Sequence, residues 1–241
     1  MAKKIPAILL AFVLLSGCTT GSARLAASLN ERAEASFSDT QTLSVLVVTN
    51  RATARTPACA DTYFGVTGQR NASYVSCTVN VPKKHSIGAL DESDERAADP
   101  HSFFFSSGMQ TLSEQELLSR AAASEEVLVF VHGFNVPFSE ALYRAAQIKY
   151  DLKFPGSVVL FSWPAGADEG ILSALDLSGT YKANRLMAEL ARPHFSSILT
   201  RLSHSKSRIH VVVHSMGHEV VLPVLASEAS LRIDQLILNA P

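Results

Sequence analysis

The chain has 241 residues and a formal net charge of −1, a balance that gives no electrostatic reason to expect nucleic acid as a partner. Apolar residues make up 47% of it, enough for a real core, and the length suits one medium α/β domain or two small ones. No internal repeat is visible.

The amino terminus reads as a targeting segment. Lys3 and Lys4 precede an apolar run, Ile5 to Leu15, too short to span a bilayer as a helix. Leu15-Ser16-Gly17-Cys18 follows and resembles the lipobox of bacterial lipoproteins. The resemblance implies a signal peptide over 1–17, cleavage before Cys18, and acylation of that cysteine. A plain secretory signal with an incidental cysteine is the alternative. Several acyl chains on one residue hold a protein stably at a membrane. Thr19 rather than aspartate follows the cysteine. By resemblance to enterobacterial sorting, this implies the outer membrane of a bacterial envelope, facing the periplasm. Residues 18–42, rich in Ser, Ala and Thr, read as a tether, with one domain over 43–241.

Leu43 to Val48 predicts the first strand, ended by Thr49-Asn50-Arg51, and Ala52 to Arg70 reads as irregular. Tyr74 to Val81 alternates, with Val75, Cys77, Val79 and Val81 on one side, as expected of a half-buried antiparallel strand. Asp91, Glu92, Asp94 and Glu95 form an acidic cluster with no histidine at ligand spacing, so a solvated loop is expected and no metal site. Cys59 and Cys77 are the right count for one disulfide in an exported protein. A buried Cys77 with a loose Cys59 remains open beside that bridge.

From Val127 the pattern changes to alternating strands and helices. Val127 to Val131 is a continuous apolar run, expected of a central parallel strand, and ends in His132-Gly133-Phe134-Asn135. Phe138 to Leu152 has helical spacing. Val158 to Phe161 is the next strand, ending at Ser162-Trp163-Pro164. A loop with a short apolar patch at 171–177 leads to a helix over Tyr181 to Leu202, with Leu186, Met187 and Leu190 on one face and Pro193 dividing or kinking it. Ile209 to Val213 is a strand that stops at His214-Ser215-Met216-Gly217, and Gly217 to Ala229 reads as a helix. Leu236 to Leu238 is a further strand. The order predicts an α/β fold, a doubly wound and mostly parallel sheet with its site at the carboxyl ends of the strands.

A strand turning into a helix at a serine is a nucleophile elbow, although an ordinary strand-to-helix turn is the plainer alternative. Val213 stands where G-x-S-x-G has its first glycine. Together with Thr49-Asn50-Arg51, Val79 to Gly88, Val129 to Val136 and Phe161 to Pro164, the stretch His214 to Gly217 resembles the α/β-hydrolase superfamily. More narrowly it resembles a bacterial esterase/lipase-like group known as a domain of unknown function.

The resemblance implies acyl transfer to water, on a small-molecule ester or lipid, without a cofactor. Ser215 would be the nucleophile, and the backbone N–H groups of Phe134 and Met216 the oxyanion hole. His132, Gly133 and Trp163 would line the pocket, with core packing the alternative for Trp163. His132 and His214 look like scaffold residues of their loops. His218, where the group commonly has asparagine, reads as structural.

The triad's remaining members are not assignable. The superfamily order is Ser, then Asp or Glu, then His. After Ser215 stand Glu219, Glu228, Asp234 and His218, none suitably placed. Pro223 also falls inside the elbow helix, at a cost of up to about 3 kcal/mol unless a kink absorbs it. The expectation is therefore a fold lacking its C-terminal strands, as a truncated sequence or a degenerate relative. Two functions follow: a lipid-anchored serine esterase or lipase-like hydrolase, or a non-catalytic lipoprotein that binds a ligand or envelope partner. Acyl transfer to an alcohol shares the first mechanism.

Overall fold

A computed structural model describes residues 41–82, 85–88, 90, 103–166 and 177–240. Cys18 with the expected signal and most of the tether, the acidic cluster at 91–95 and most of the apolar patch at 171–177 lie outside the described residues. The strands are β1 (Gln41–Thr53), β2 (Phe64–Val81), β3 (Phe105–Leu112), β4 (Glu126–Val131), β5 (Ser157–Ser162), β6 (Arg208–His214) and β7 (Gln235–Asn239). The helices are α1 (Glu114–Ala122), α2 (Phe138–Asp151), α3 (Leu177–Ser203) and α4 (His218–Ser227).

The strands form one sheet in the order β3-β2-β1-β5-β4-β6-β7. From β1 to β7 every pair is parallel, and β2 and β3 add antiparallel neighbours at the other edge. Val127, Val129 and Val131 of β4 enter one core cluster with α1, α3 and α4. Leu128 and Phe130 enter the other, with α2. Both faces are covered, which is why β4 reads as an unbroken apolar run. The doubly wound, mostly parallel sheet expected from the sequence is therefore present.

Several elements differ from expectation. β1 does not end at Arg51 but continues to Thr53 through two register shifts, and β2 begins at Phe64, inside the stretch expected to be irregular. Bulges keep such strands paired where the sequence pattern breaks. β3 and α1 have no counterpart in the sequence reading. A legible signal stood at α1: Ser113 Oγ accepts the Glu116 N–H at 3.2 Å, and Glu116 Oε2 accepts the Ser113 N–H at 2.7 Å. This capping box is worth about 1 kcal/mol.

Pro193 does not divide α3, which is one helix of 27 residues. Its buried face is Ala188, Ala191, Phe195, Ile198, Leu199 and Leu202, while Leu186 and Leu190 are exposed. The two alanines let the helix lie close to the sheet, so the larger leucines turn outward. Pro223 does not break α4 either. It cannot donate to the Glu219 carbonyl four residues back, and Arg192 Nε donates there instead, at 2.7 Å. Leu236, Ile237 and Leu238 of β7 are 39%, 48% and 43% exposed.

Cys59 and Cys77 form a disulfide that ties the loop before β2 to the strand itself, across 18 positions with Cα atoms 6.0 Å apart. Both are buried. Closing a loop of this length stabilises by about 3 kcal/mol. Cys59→Ser with Cys77→Ser should lower the urea unfolding free energy by about that amount. An unchanged midpoint would show that the bridge contributes nothing.

Candidate active site

The chain leaves β4 for β5 through α2 on one face, and leaves β6 for β7 through α4 on the other. The carboxyl ends of β4 and β6 therefore flank a switch point, where open α/β sheets place their ligands. Val131 pairs with Val213. Carrying that register two steps sets Gly133 beside Ser215.

The contact is close enough to demand glycine. A Cβ on Gly133 would lie 2.9 Å from Ser215 Cβ and from His214 Nδ1. A Cβ on Gly217 would lie 2.7 Å from the His132 carbonyl oxygen. Val213, by contrast, is accommodated in the core at the position where a small residue was expected.

Ser215 has φ +48°. A serine held in the left-handed region costs roughly 1–3 kcal/mol, and such strain collects at functional sites. The sharp turn lifts the half-buried serine off the end of β6. A 3-10 turn over Ser215–Gly217 leads directly into α4. The first N–H groups of such a start, Met216 among them, have no intrahelical acceptor.

No histidine around the elbow is bonded to the Ser215 hydroxyl among the described residues. His218 Nδ1 donates to the Ser215 carbonyl, and its Nε2 is buried without a partner among the described residues. His214 is held below the ordinary histidine range, first by burial and then by the charges of Arg144 and His218. His132 is 1% exposed. Its Nδ1 lies 3.1 Å from the Gly133 carbonyl oxygen, and its Nε2 lies 3.3 Å from Ser162 Oγ and 3.5 Å from Arg51 Nη2. Burial, then the Arg51 guanidinium, pushes its pKa well below the usual value, and backbone bonds at Gly133 and Trp163 only partly oppose this. Both ring nitrogens of His132 face these buried partners rather than the Ser215 hydroxyl, which suits a scaffold ring.

Trp163 is fully buried, stacks on His132 at 5.3 Å and donates Nε1–H to the His132 carbonyl at 2.9 Å. It props the turn from behind; the described surroundings match core packing rather than an open pocket wall. Phe134 is half-buried against the ring of Tyr181 at 5.9 Å.

Among the described residues no side chain hydrogen-bonds the Ser215 hydroxyl. The carboxylates after it are engaged elsewhere. Glu219 pairs with Arg185 and Arg192. Glu228 accepts from Ser196 and Thr200. Asp234 accepts the Ile209 N–H at 2.8 Å, at the amino end of β6. Among the described residues no group of three or more His, Cys, Asp or Glu could hold a metal ion.

Residues 110–241 match the family model described as alpha/beta hydrolase of unknown function, DUF900. The chain belongs to this family. No curated protein and no solved structure matches it. The matched range runs from within β3 and holds the elbow, the His132-Gly133 turn and Trp163 of this DUF900 chain.

Two residues that sequence reasoning did not select hold the DUF900 site together. Asn184 of α3 uses its whole side-chain amide. Oδ1 accepts the N–H of Asn135 and of Gly166, each at 3.1 Å, and Nδ2 donates to the carbonyls of Gly166 and Thr180 at 2.8 and 3.0 Å. Arg51, on β1, binds Gly65 of β2, Ser162 of β5, Ala165 after β5 and Val136 after β4. In the sequence Arg51 stood within Thr49-Asn50-Arg51, one of the stretches of the family resemblance, but without a role; Asn184 gave no signal.

Proposed function

We propose that the chain is a serine-type hydrolase of carboxylic esters, held at a bacterial envelope membrane by acylated Cys18, with Ser215 as nucleophile. The observation that carries this is the left-handed φ of Ser215, opposite Gly133 at the switch point of a DUF900 sheet. Asn135, Lys153 and Ala240 share the left-handed φ, so it is the place of Ser215 opposite Gly133 that gives the strain its meaning. In this proposal the N–H groups of Phe134 and Met216 stabilise the oxyanion. Incubation with p-nitrophenyl acetate, acid quench and peptide mass analysis should find an acetyl group on Ser215. Steady turnover by this 241-residue chain should be low, because no described side chain bonds the Ser215 hydroxyl as a general base would.

One observation favours a second reading, ligand binding without turnover: the Ser215 hydroxyl has no described partner. Intact folding with no acetylated Ser215 would support it. For the anchor, metabolic labelling with a fatty-acid analogue should mark wild type and not Cys18→Ala. Equal labelling of both would refute lipidation at Cys18.

A further inference from the structure

We infer that Arg51 and His132 are positioning residues for the oxyanion hole: Arg51 fixes the His132 ring, and the ring orients the Gly133–Phe134 peptide so that the Phe134 N–H is turned toward the Ser215 side. Its catalytic meaning rests on the serine-hydrolase reading above; its geometry does not.

Arg51 is fully buried, and its five N–H donors meet five acceptors. Nε donates to Ser162 Oγ at 2.9 Å. Nη1 donates to the carbonyls of Gly65 at 3.1 Å and Ala165 at 2.9 Å. Nη2 donates to the Val136 carbonyl at 2.8 Å and faces His132 Nε2 at 3.5 Å. A guanidinium has donors only, so the nitrogen facing it must present a lone pair. Ser162 completes this: its oxygen accepts from Arg51, leaving its O–H to point at the same Nε2 at 3.3 Å.

A neutral imidazole carries one N–H; the Arg51 and Ser162 donors at Nε2 and the Gly133 carbonyl at Nδ1 assign it to Nδ1, against a competing backbone bond at Trp163. That N–H donates to the Gly133 carbonyl, 3.1 Å away. No peptide bond of the described chain is cis. In a trans peptide the N–H points opposite to the C=O. The Phe134 N–H is thus directed away from the ring, which is stacked on buried Trp163. Gly133 itself lies against Ser215. Protonation on Nε2 would set N–H against N–H at Arg51 and release the Gly133 carbonyl. A peptide flip would then aim that carbonyl, rather than an N–H, at the forming oxyanion.

The test uses the full chain in two arms. Long-range 1H–15N correlation spectra of the labelled protein at neutral pH read the tautomer of His132. A proton on Nδ1 is expected; a proton on Nε2 overturns the inference. In the second arm, His132→Asn can place an amide N–H near the Nδ1 position, whereas the longer His132→Gln reaches toward Nε2. With stability matched in urea, His132→Gln should label Ser215 with a fluorophosphonate about 10²-fold more slowly than wild type, the usual cost of one oxyanion donor. His132→Asn should recover most of that loss. Equal rates in the two variants would overturn the inference. If wild type does not label at all, the serine-hydrolase reading fails, while the tautomer still decides the positioning claim.

Discussion

Arg51→Met is expected to destabilise the fold by about 3–5 kcal/mol, read as a fall in the urea midpoint at unchanged slope. The five acceptors of the guanidinium come from β2, the turn after β4, and β5 with its following loop. Ser162 and His132 can still bond each other once it is gone. The carbonyls of Gly65, Ala165 and Val136 cannot; that of Ala165 is buried and the other two are part-buried, and a fully buried acceptor left unpaired costs about 1–3 kcal/mol. One effect works against this loss. Burial lowers the Arg51 pKa to about 10, with Asp61 offsetting part of the effect, so removing the charge returns some desolvation energy. Three lost carbonyl partners outweigh that return. Arg51→Lys should restore only part of the stability, because an ammonium has three donors at one point and cannot span acceptors on three elements. A loss below about 1 kcal/mol in Arg51→Met would mean that water or rearranged loops satisfy those carbonyls.

Ser215→Gly should do the opposite to stability and abolish reactivity. Glycine adopts φ +48° without steric cost, so the variant sheds the left-handed strain. The greater freedom of glycine in the unfolded chain takes back about 0.4–1 kcal/mol. A net gain of about 1 kcal/mol is expected, with complete loss of acylation at this position. Ser215→Ala keeps the strain and should match wild type in stability. Destabilisation of Ser215→Gly would show that the conformation is not strained, and the functional argument drawn from it would fall.

How much of this was legible depends on the kind of residue. β4, β5 and β6 announce themselves because burial on both faces forces continuous apolar runs, and the elbow because Ser215 and Gly217 stand where β6 must turn. The half-buried edge was harder. β2 opens with Phe64-Gly65-Val66-Thr67-Gly68, where two glycines hide the alternation. In α3, small Ala188 and Ala191 form the contact while the larger Leu186 and Leu190 face out, so a size-weighted reading picks the wrong side. Pro223 misled because its compensation comes from Arg192, on another helix. The same holds for the site. Ser215 was singled out from the local strand-to-helix turn, whereas Gly133 and Phe134 came from the family resemblance. Arg51 acts across 81 positions on His132, and Asn184 across 49 on Asn135, and no local pattern carries such partners.

The central claim is that this fold makes Ser215 a nucleophile. Its most direct test is incubation of the 241-residue chain with a fluorophosphonate, followed by intact-mass and peptide-mass measurement. A single phosphonyl adduct on Ser215 is predicted, absent from Ser215→Ala and from wild type unfolded in urea. An adduct on another residue, equal labelling of folded and unfolded protein, or no adduct on protein shown to be folded by circular dichroism would contradict it.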